Sequence, residues 1–295
     1  MRSLSWWMPA IAVGLALPLA AQEAPPKLVF GLYAYKKPTE VMRDFTPVVE
    51  ELRENLSKEC GREVAVALEI SKTYDECLDK LVAGQVDLVR FGPASYVMAK
   101  QRNKDVQLLV AEAEDGKAGV IAVRDDSPIR TLADLKGKSF AFGDENSTIG
   151  RFLSQALLVN AGILSGDLKK HNYLDRHDNV FNVVKIGDYD AGALHIATFN
   201  QMNKKGELRE LVRFENVGKP WVARAGLDPA TVKALRAALL SLKPSTTQKA
   251  LKVRGFQACT DSDFDVVRAG MKAAEKFDTT QAKPPEPAPS PPRKD

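Results

Sequence analysis

Histidine and cysteine are both scarce in this 295-residue chain, with three of each. No two of them stand at the spacing of a zinc site, so no metal is expected. Gly-x-Ser-x-Gly and His-Glu-x-x-His are missing, as are the dinucleotide and Walker glycine patterns. Those absences remove the usual signatures of serine hydrolases, zinc proteases and nucleotide-binding enzymes. No sign of charge dominates: 42 Lys and Arg against 38 Asp and Glu give +4, and the cations are scattered rather than blocked. Nucleic acid is therefore not an expected partner. Beyond the first two dozen residues no run is long and apolar enough to cross a bilayer, which takes about 20 residues.

What is present suits a globular chain of two domains, with 44% hydrophobic residues. The start stands apart. Arg2 precedes an almost wholly apolar stretch from Met8 to Ala20, then come the small Ala21 and the polar Gln22 and Glu23. Residues 1–21 read as a cleaved secretory signal, and a membrane anchor is the alternative. No Cys follows the apolar run, so a lipid anchor is not expected there. The mature chain is expected in the periplasm. That location permits a disulfide among Cys60, Cys77 and Cys259. Cys60 and Cys77 are nearest in sequence, and three unpaired thiols are the alternative.

Periodicity alternates between strands and helices. Strands are predicted at Lys27–Leu32, Val64–Ile70, Val86–Arg90, Val106–Ala111 and Val120–Val123. Thr39 is read as the cap of a helix carrying Val41, Phe45, Val48, Leu52 and Leu56, ended by Gly61. Further helices are predicted from Tyr74 to Val82 and from Pro93. The rhythm repeats with strands at Lys138–Phe142, Lys170–Leu174, Asp190–Ala193 and Leu211–Phe214. A helix from Ser147 or Thr148 to Ala161 falls among them. Helices at Pro229–Leu242, Thr246–Val253 and Ser262–Phe277 close the pattern. This predicts open, mostly parallel α/β sheets. Residues 25–118 with 215–278 form a first lobe and 119–214 an inserted second lobe, with a ligand cleft between them. The Pro-rich segment 279–295 is expected to be an extended tail.

The sharpest local feature is Gly143-Asp144-Glu145-Asn146-Ser147-Thr148-Ile149-Gly150, after a strand and before a helix. A helix start offers unpaired N–H groups and a positive dipole end. Ser147 and Thr148 add hydroxyl donors, and Gly150 permits close approach, which together suit an anion. Ordinary N-capping is the plain alternative. His177 sits at another strand-to-helix junction and could donate to an oxyanion. His171 and His195 are weaker candidates. Arg90-Phe91-Gly92-Pro93-Ala94-Ser95-Tyr96 is a third junction on the same rim, with Tyr74, Tyr33 and Tyr35 at neighbouring strand ends.

These pieces resemble the phosphate, phosphite and phosphonate substrate-binding proteins of ABC importers. The resemblance runs from about Lys27 to Lys276. It is carried by Gln85-Val86-Asp87-Leu88 with Phe91-Gly92-Pro93-Ala94-Ser95-Tyr96, by Leu132-Ala133-Asp134-Leu135-Lys136-Gly137-Lys138, by Asn146-Ser147-Thr148-Ile149-Gly150 and by Asp188-Tyr189-Asp190-Ala191-Gly192-Ala193. It implies a bilobal, type II-like periplasmic binding protein of α/β class, its two open lobes joined by a hinge. It implies non-covalent capture of a small oxyanion by Ser147, Thr148, His177 and Tyr74. Asn146, Gly150, Phe91 and Tyr96 are the further candidate ligand-binding residues. Aminoalkylphosphonate binders hold the amine with an acid, but Ala197, Phe199 and Lys219-Pro220-Trp221-Val222 stand where one is expected. Phosphate, phosphite or methylphosphonate fits better. The expected partner is an ABC permease, or a sensor kinase in the alternative reading, and the expected state is a monomer without cofactor. Some relatives sense arsenic oxyanions through a Cys, which Cys77 would match. An enzyme using Cys77 or His177 is a further alternative, although no nucleophile–base pair is apparent.

Overall fold

The computed structural model describes residues 26–35, 37–113 and 117–279. The expected signal segment, and the tail from residue 280, lie outside those residues. The strands are β1 (Lys27–Tyr33), β2 (Ala65–Ser71), β3 (Leu88–Arg90), β4 (Gln107–Ala113), β5 (Ala118–Arg124), β6 (Ser139–Phe142), β7 (Lys170–Tyr173), β8 (Ala191–His195), β9 (Leu208–Glu215), β10 (Pro220–Ala223) and β11 (Gly255–Gln257). The helices are α1 (Pro38–Cys60), α2 (Tyr74–Val82), α3 (Pro93–Arg102), α4 (Ser154–Asn160), α5 (His177–Lys185), α6 (Ile196–Met202), α7 (Pro229–Leu240), α8 (Pro244–Leu251) and α9 (Asp265–Ala274).

Two sheets form. The first has the order β11-β4-β10-β3-β1-β2 and the second β7-β6-β8-β5-β9. Each has a parallel centre, β2-β1-β3 in one and β7-β6-β8 in the other. The remaining pairings are antiparallel. The sheets are thus mixed rather than mostly parallel. The reason lies in the connections: β4 runs on toward β5 and β9 toward β10, and strands that cross between lobes re-enter against the parallel direction.

Side-chain alternation fixes the layers. Leu28, Phe30 and Leu32 of β1 face the cluster under α1 and α7, whereas Val29 and Tyr33 face the cluster under α2 and α3. Likewise Val120 and Ala122 of β5 point to one face of the second sheet, Ile121 and Val123 to the other. Helix α1 buries Val41, Phe45, Val48, Leu52 and Leu56 and ends at Gly61, whose φ of 64° is left-handed. Its first turn starts at Pro38 after Lys37 without a side-chain cap, so Thr39 lies inside the helix rather than capping it.

This layering also decides the thiols. Cys60, Cys77 and Cys259 are all free. Cys60 packs with the α1 face and Cys77 with the α2 face, so the first sheet separates the pair nearest in sequence.

Two crossings join the lobes, and they lean on each other. Glu112 N–H donates to the Lys219 carbonyl (3.0 Å) and Asn216 N–H to that of Lys117 (2.6 Å). Gly218 is obligatory there, since a Cβ would lie 2.1 Å from the Glu112 carbonyl oxygen. Beneath them Arg90 and Glu112 form a buried ion pair, and Trp221 Nε1 donates to Glu112 Oε1 (3.1 Å). The C-terminal helix makes a third link. Phe264 and Val267 are buried with the first lobe. Phe277 is buried in the second, where its carbonyl accepts from Ser165 N–H (2.8 Å). The end of the segment grouped by sequence with the first lobe therefore packs on both.

Candidate functional site

In the second lobe, β6 ends at Phe142 and the chain turns after Gly143. Asn146 N–H donates to Asp144 Oδ1 (2.7 Å) and Ser147 N–H to the Asp144 carbonyl (2.9 Å). This Asx turn delivers Ser147 to the N-cap, where its Oγ accepts from Gly150 N–H (2.9 Å). Thr148–Leu153 winds as a widened π turn that runs on into α4, where an ordinary helix was expected. Arg151 and Phe152 N–H both converge on the Ser147 carbonyl. Gly143 and Gly150 pack back to back, with Gly143 N–H donating to the Gly150 carbonyl (2.8 Å). A Cβ on Gly150 would sit 2.7 Å from Gly143 Cα, so this contact needs glycine.

His177, the first residue of α5, lies over the same place. Its Cε1 and Nδ1 are each 3.7 Å from where a Gly143 Cβ would be. The Nδ1 atom is buried without a hydrogen-bond partner. Burial, and then the charge of Lys219, push this imidazole down to about 4, so it is neutral at neutral pH. The ring of His195 is 6.3 Å away and is suppressed by the same two causes. His195 has a local duty, since its Nδ1 accepts from Ala197 N–H (3.1 Å) at the start of α6. His171 lies elsewhere, among Phe142, Tyr173 and Phe277.

The first lobe presents aromatic rings. Tyr33, at the end of β1, stacks on Tyr74 at 3.7 Å between centroids, with Phe91 behind it at 6.5 Å. The Tyr33 hydroxyl oxygen accepts from Gly92 N–H (2.7 Å). Burial raises both tyrosine hydroxyls well above their ordinary range, so both stay protonated. One bond spans the cleft: Ala94 N–H, in the first turn of α3, donates to Thr148 Oγ1 (2.8 Å). The lobes therefore touch at the candidate site. Asp144 belongs to the same loop, three residues before Ser147, and its charge adds to the rise of the Tyr74 hydroxyl. Burial pushes the Asp144 carboxyl up to about 6.

Of the residues singled out by sequence, Ser147, Thr148, Gly150, His177 and Tyr74 converge. Asn146 reaches the loop through its backbone. Phe91 is fully buried behind Tyr33. Tyr96 points away: its hydroxyl donates to Asp261 Oδ1 (2.5 Å) and its ring packs on Phe264. Tyr33 and the Gly92–Ser95 junction, read by sequence as lying on the same rim at strand ends, join the site as well. Sequence gives Asp144 a place in the loop but no role. Cys77 is buried with its thiol pushed up to about 12, which keeps it protonated and unreactive.

Chemically the site offers two hydroxyls, a helix start, a neutral imidazole and protonated phenols, with no paired nucleophile and base. Among the described residues no cluster of His, Cys, Asp and Glu could hold a metal, and no helix is long and apolar enough to cross a membrane.

Comparison with known proteins gives the family and the fold. Residues 30–264 match the family described as ABC transporter, phosphonate, periplasmic substrate-binding protein. The phosphate-import protein PhnD of Mycolicibacterium smegmatis is 25% identical over 267 residues, which is 78% of this chain and 82% of the relative. A probable phosphite-binding protein of an ABC transporter, PhnD1 of Prochlorococcus marinus, is 27% identical, over 62% of this chain and 70% of its own. The solved structure of PhnD1 in complex with methylphosphonate superposes with a TM-score of 0.75 at 23% identity, covering 86% of this chain and all of that one.

Proposed function

The chain belongs to the phosphonate family of periplasmic ABC-transporter substrate-binding proteins, and from that premise we propose that it captures a small phosphorus oxyanion between Ser147, Thr148 and His177. The observation that carries this reading is how the two hydroxyls are used. Each oxygen already accepts a backbone N–H, Ser147 from Gly150 and Thr148 from Ala94. Each O–H proton is therefore left to donate, and a hydroxyl whose oxygen accepts a bond is the better donor. The first-turn N–H groups add to them. Lys219 supplies positive potential to both cleft histidines. An ammonium-bearing ligand is poorly suited to that potential, whereas phosphate, phosphite or methylphosphonate suits it. Tyr74 and Tyr33 wall the cleft on the other side. The mature chain would act as a monomer in the periplasm, delivering the ligand to its permease by lobe closure.

The test is calorimetric titration of residues 22–295 with phosphate, phosphite, methylphosphonate, 2-aminoethylphosphonate and sulfate. Tight binding of one of the first three is expected. Hydrogen bonds to charged groups are each worth about 1.5–3 kcal/mol. The Ser147→Ala, Thr148→Ala double variant should therefore weaken binding by at least about a hundredfold. Parent-like affinity in that variant would remove the site assignment, and silence across the panel would remove the oxyanion reading.

A further inference from the structure

The β3–α3 junction of the first lobe holds a polar group that its fold does not use. Ser95 is 1% exposed, and its Oγ is buried without any hydrogen-bond partner. A buried hydroxyl left unpaired is destabilising, and its persistence asks for a reason. The α3 helix runs ten residues from Pro93, with Gly92 as its cap, and no side chain caps it. Ser95 therefore does not serve the helix start as Ser147 does. Its neighbours come from both lobes. A Cβ built on Gly92 would lie 3.1 Å from the Tyr33 hydroxyl, 3.5 Å from Thr148 Oγ1 and 3.9 Å from Ser95 Oγ. Three hydroxyls from three elements, one of them on the opposite lobe, thus gather beside the Gly92 backbone, which has no side chain to separate them. The Ala94 N–H reaches into the same place, through its bond to Thr148 Oγ1.

We propose that Ser95 is a ligand-binding residue that donates its hydroxyl proton to an oxygen of the bound oxyanion. The anion is then gripped between two facing helix starts, α3 from the first lobe and the Thr148 turn from the second. This rests on the oxyanion reading above. It adds that the first lobe contributes a directed donor as well as an aromatic wall, so each lobe supplies hydroxyl and backbone donors to the closed state. Lobe closure is then coupled to ligand by the pairing of an otherwise unpaired group.

The discriminating variant is Ser95→Ala, compared with the parent and with the Ser147→Ala, Thr148→Ala variant. Phosphate and methylphosphonate serve as probes, and thermal unfolding is followed with and without them. Removing an unpaired hydroxyl should leave the ligand-free midpoint unchanged or raised. Affinity for the bound probe should fall by about tenfold or more, as for a lost hydrogen bond to a charged group, and the ligand-induced rise in midpoint should shrink with it. Parent-like affinity in Ser95→Ala, alongside loss in the double variant, would overturn the role of Ser95 and leave the second-lobe site standing. A lowered ligand-free midpoint would make Ser95 a packing residue and overturn the proposal too. Absence of binding in the parent itself would instead bring down the oxyanion reading, and this inference with it.

Discussion

Gly150 and Gly92 occupy matching places, each at the start of a helix that follows a sheet strand, yet an added methyl group would meet different things. At Gly150 it would meet backbone, Gly143 Cα at 2.7 Å and Gly143 N at 3.0 Å. At Gly92 it would meet the ends of side chains, the Tyr33 hydroxyl and Thr148 Oγ1. The second-lobe face is thus made of main chain and short hydroxyls locked by an Asx turn and a cap. The first-lobe face is made of rings and hydroxyls, and the contacts beside Gly92 are looser, at 3.1 Å and beyond. A backbone cradle thus faces a side-chain wall.

The sharpest way to break that comparison is the pair of glycine variants. Gly150→Ala forces backbone apart, and overpacking of this kind costs about 1–3 kcal/mol. It should also displace Ser147 and Thr148, with loss of measurable oxyanion binding in calorimetry. Gly92→Ala should leave the thermal midpoint nearly in place and weaken binding only modestly. If the two variants prove equally damaging, the first lobe is as rigid as the second.

A second contrast is electrostatic. The first-lobe phenols stay protonated throughout the neutral and acid range. The acid titrations argued for the cleft therefore fall on the second lobe, at Asp144, His177 and His195. The Asp144 carboxyl titrates near 6 when folded against an ordinary 3.8. Between those values the folded state holds more protons, so this group's contribution to stability falls as pH rises. His177 is pushed from 6.5 to about 4. Between those values the unfolded state holds more protons, so its contribution is lost as pH falls. His195 is lowered as well, so its slope adds to that of His177 and both oppose Asp144 in the parent. Asp144→Asn should unmask a thermal midpoint that drops on acidification from 6.5 toward 4, and the His177→Asn, His195→Asn double variant should leave the opposite trend. Ionised Asp144 also opposes an anion. The affinity gained by Asp144→Asn over the parent should therefore grow as pH passes upward through about 6, read by calorimetry at matched pH.

The two faces differed equally in how far the sequence revealed them. The second-lobe cradle was legible because its chemistry is contiguous: Ser147, Thr148 and Gly150 lie within one turn. His177 was separated but carried a local helix-start context. The first-lobe face is assembled from Tyr33, Tyr74, Gly92 and Ser95, which sequence places on one rim without roles for Tyr33 or Ser95 and which the sheet register β2-β1-β3 brings together. Alternation along β1 and helical spacing in α1 read correctly, because burial imposes period on long elements. Periodicity did not give the strands β10 and β11, for the opposite reason. Pro220–Ala223 is buried throughout and shows no alternation, and Gly255–Gln257 is three residues whose strand character depends on pairing with β4. The π turn at Thr148 differs from an α turn by one residue, too little for periodicity to register.

Tyr96 offers the smallest effect and the finest discrimination between the faces. Sequence placed it with the ligand-binding residues, one turn into α3. The fold turns its hydroxyl to Asp261, which also accepts from Arg268 Nη2 (2.6 Å) near the start of α9. That junction ties α3 to the helix that links both lobes. Tyr96→Phe removes one bond to a partly exposed carboxylate, a loss of about 1 kcal/mol, or about 2–4 °C in the midpoint of a chain of this size. Oxyanion affinity should be unchanged, because the ring's packing on Phe264 remains and no atom at the cleft moves. A Tyr96→Phe protein with an unaltered midpoint and weakened binding would reverse the assignment. The first-lobe wall would then reach the ligand through the tyrosine of α3, and Ser95 beside it would need to be reconsidered as its neighbour rather than as the donor.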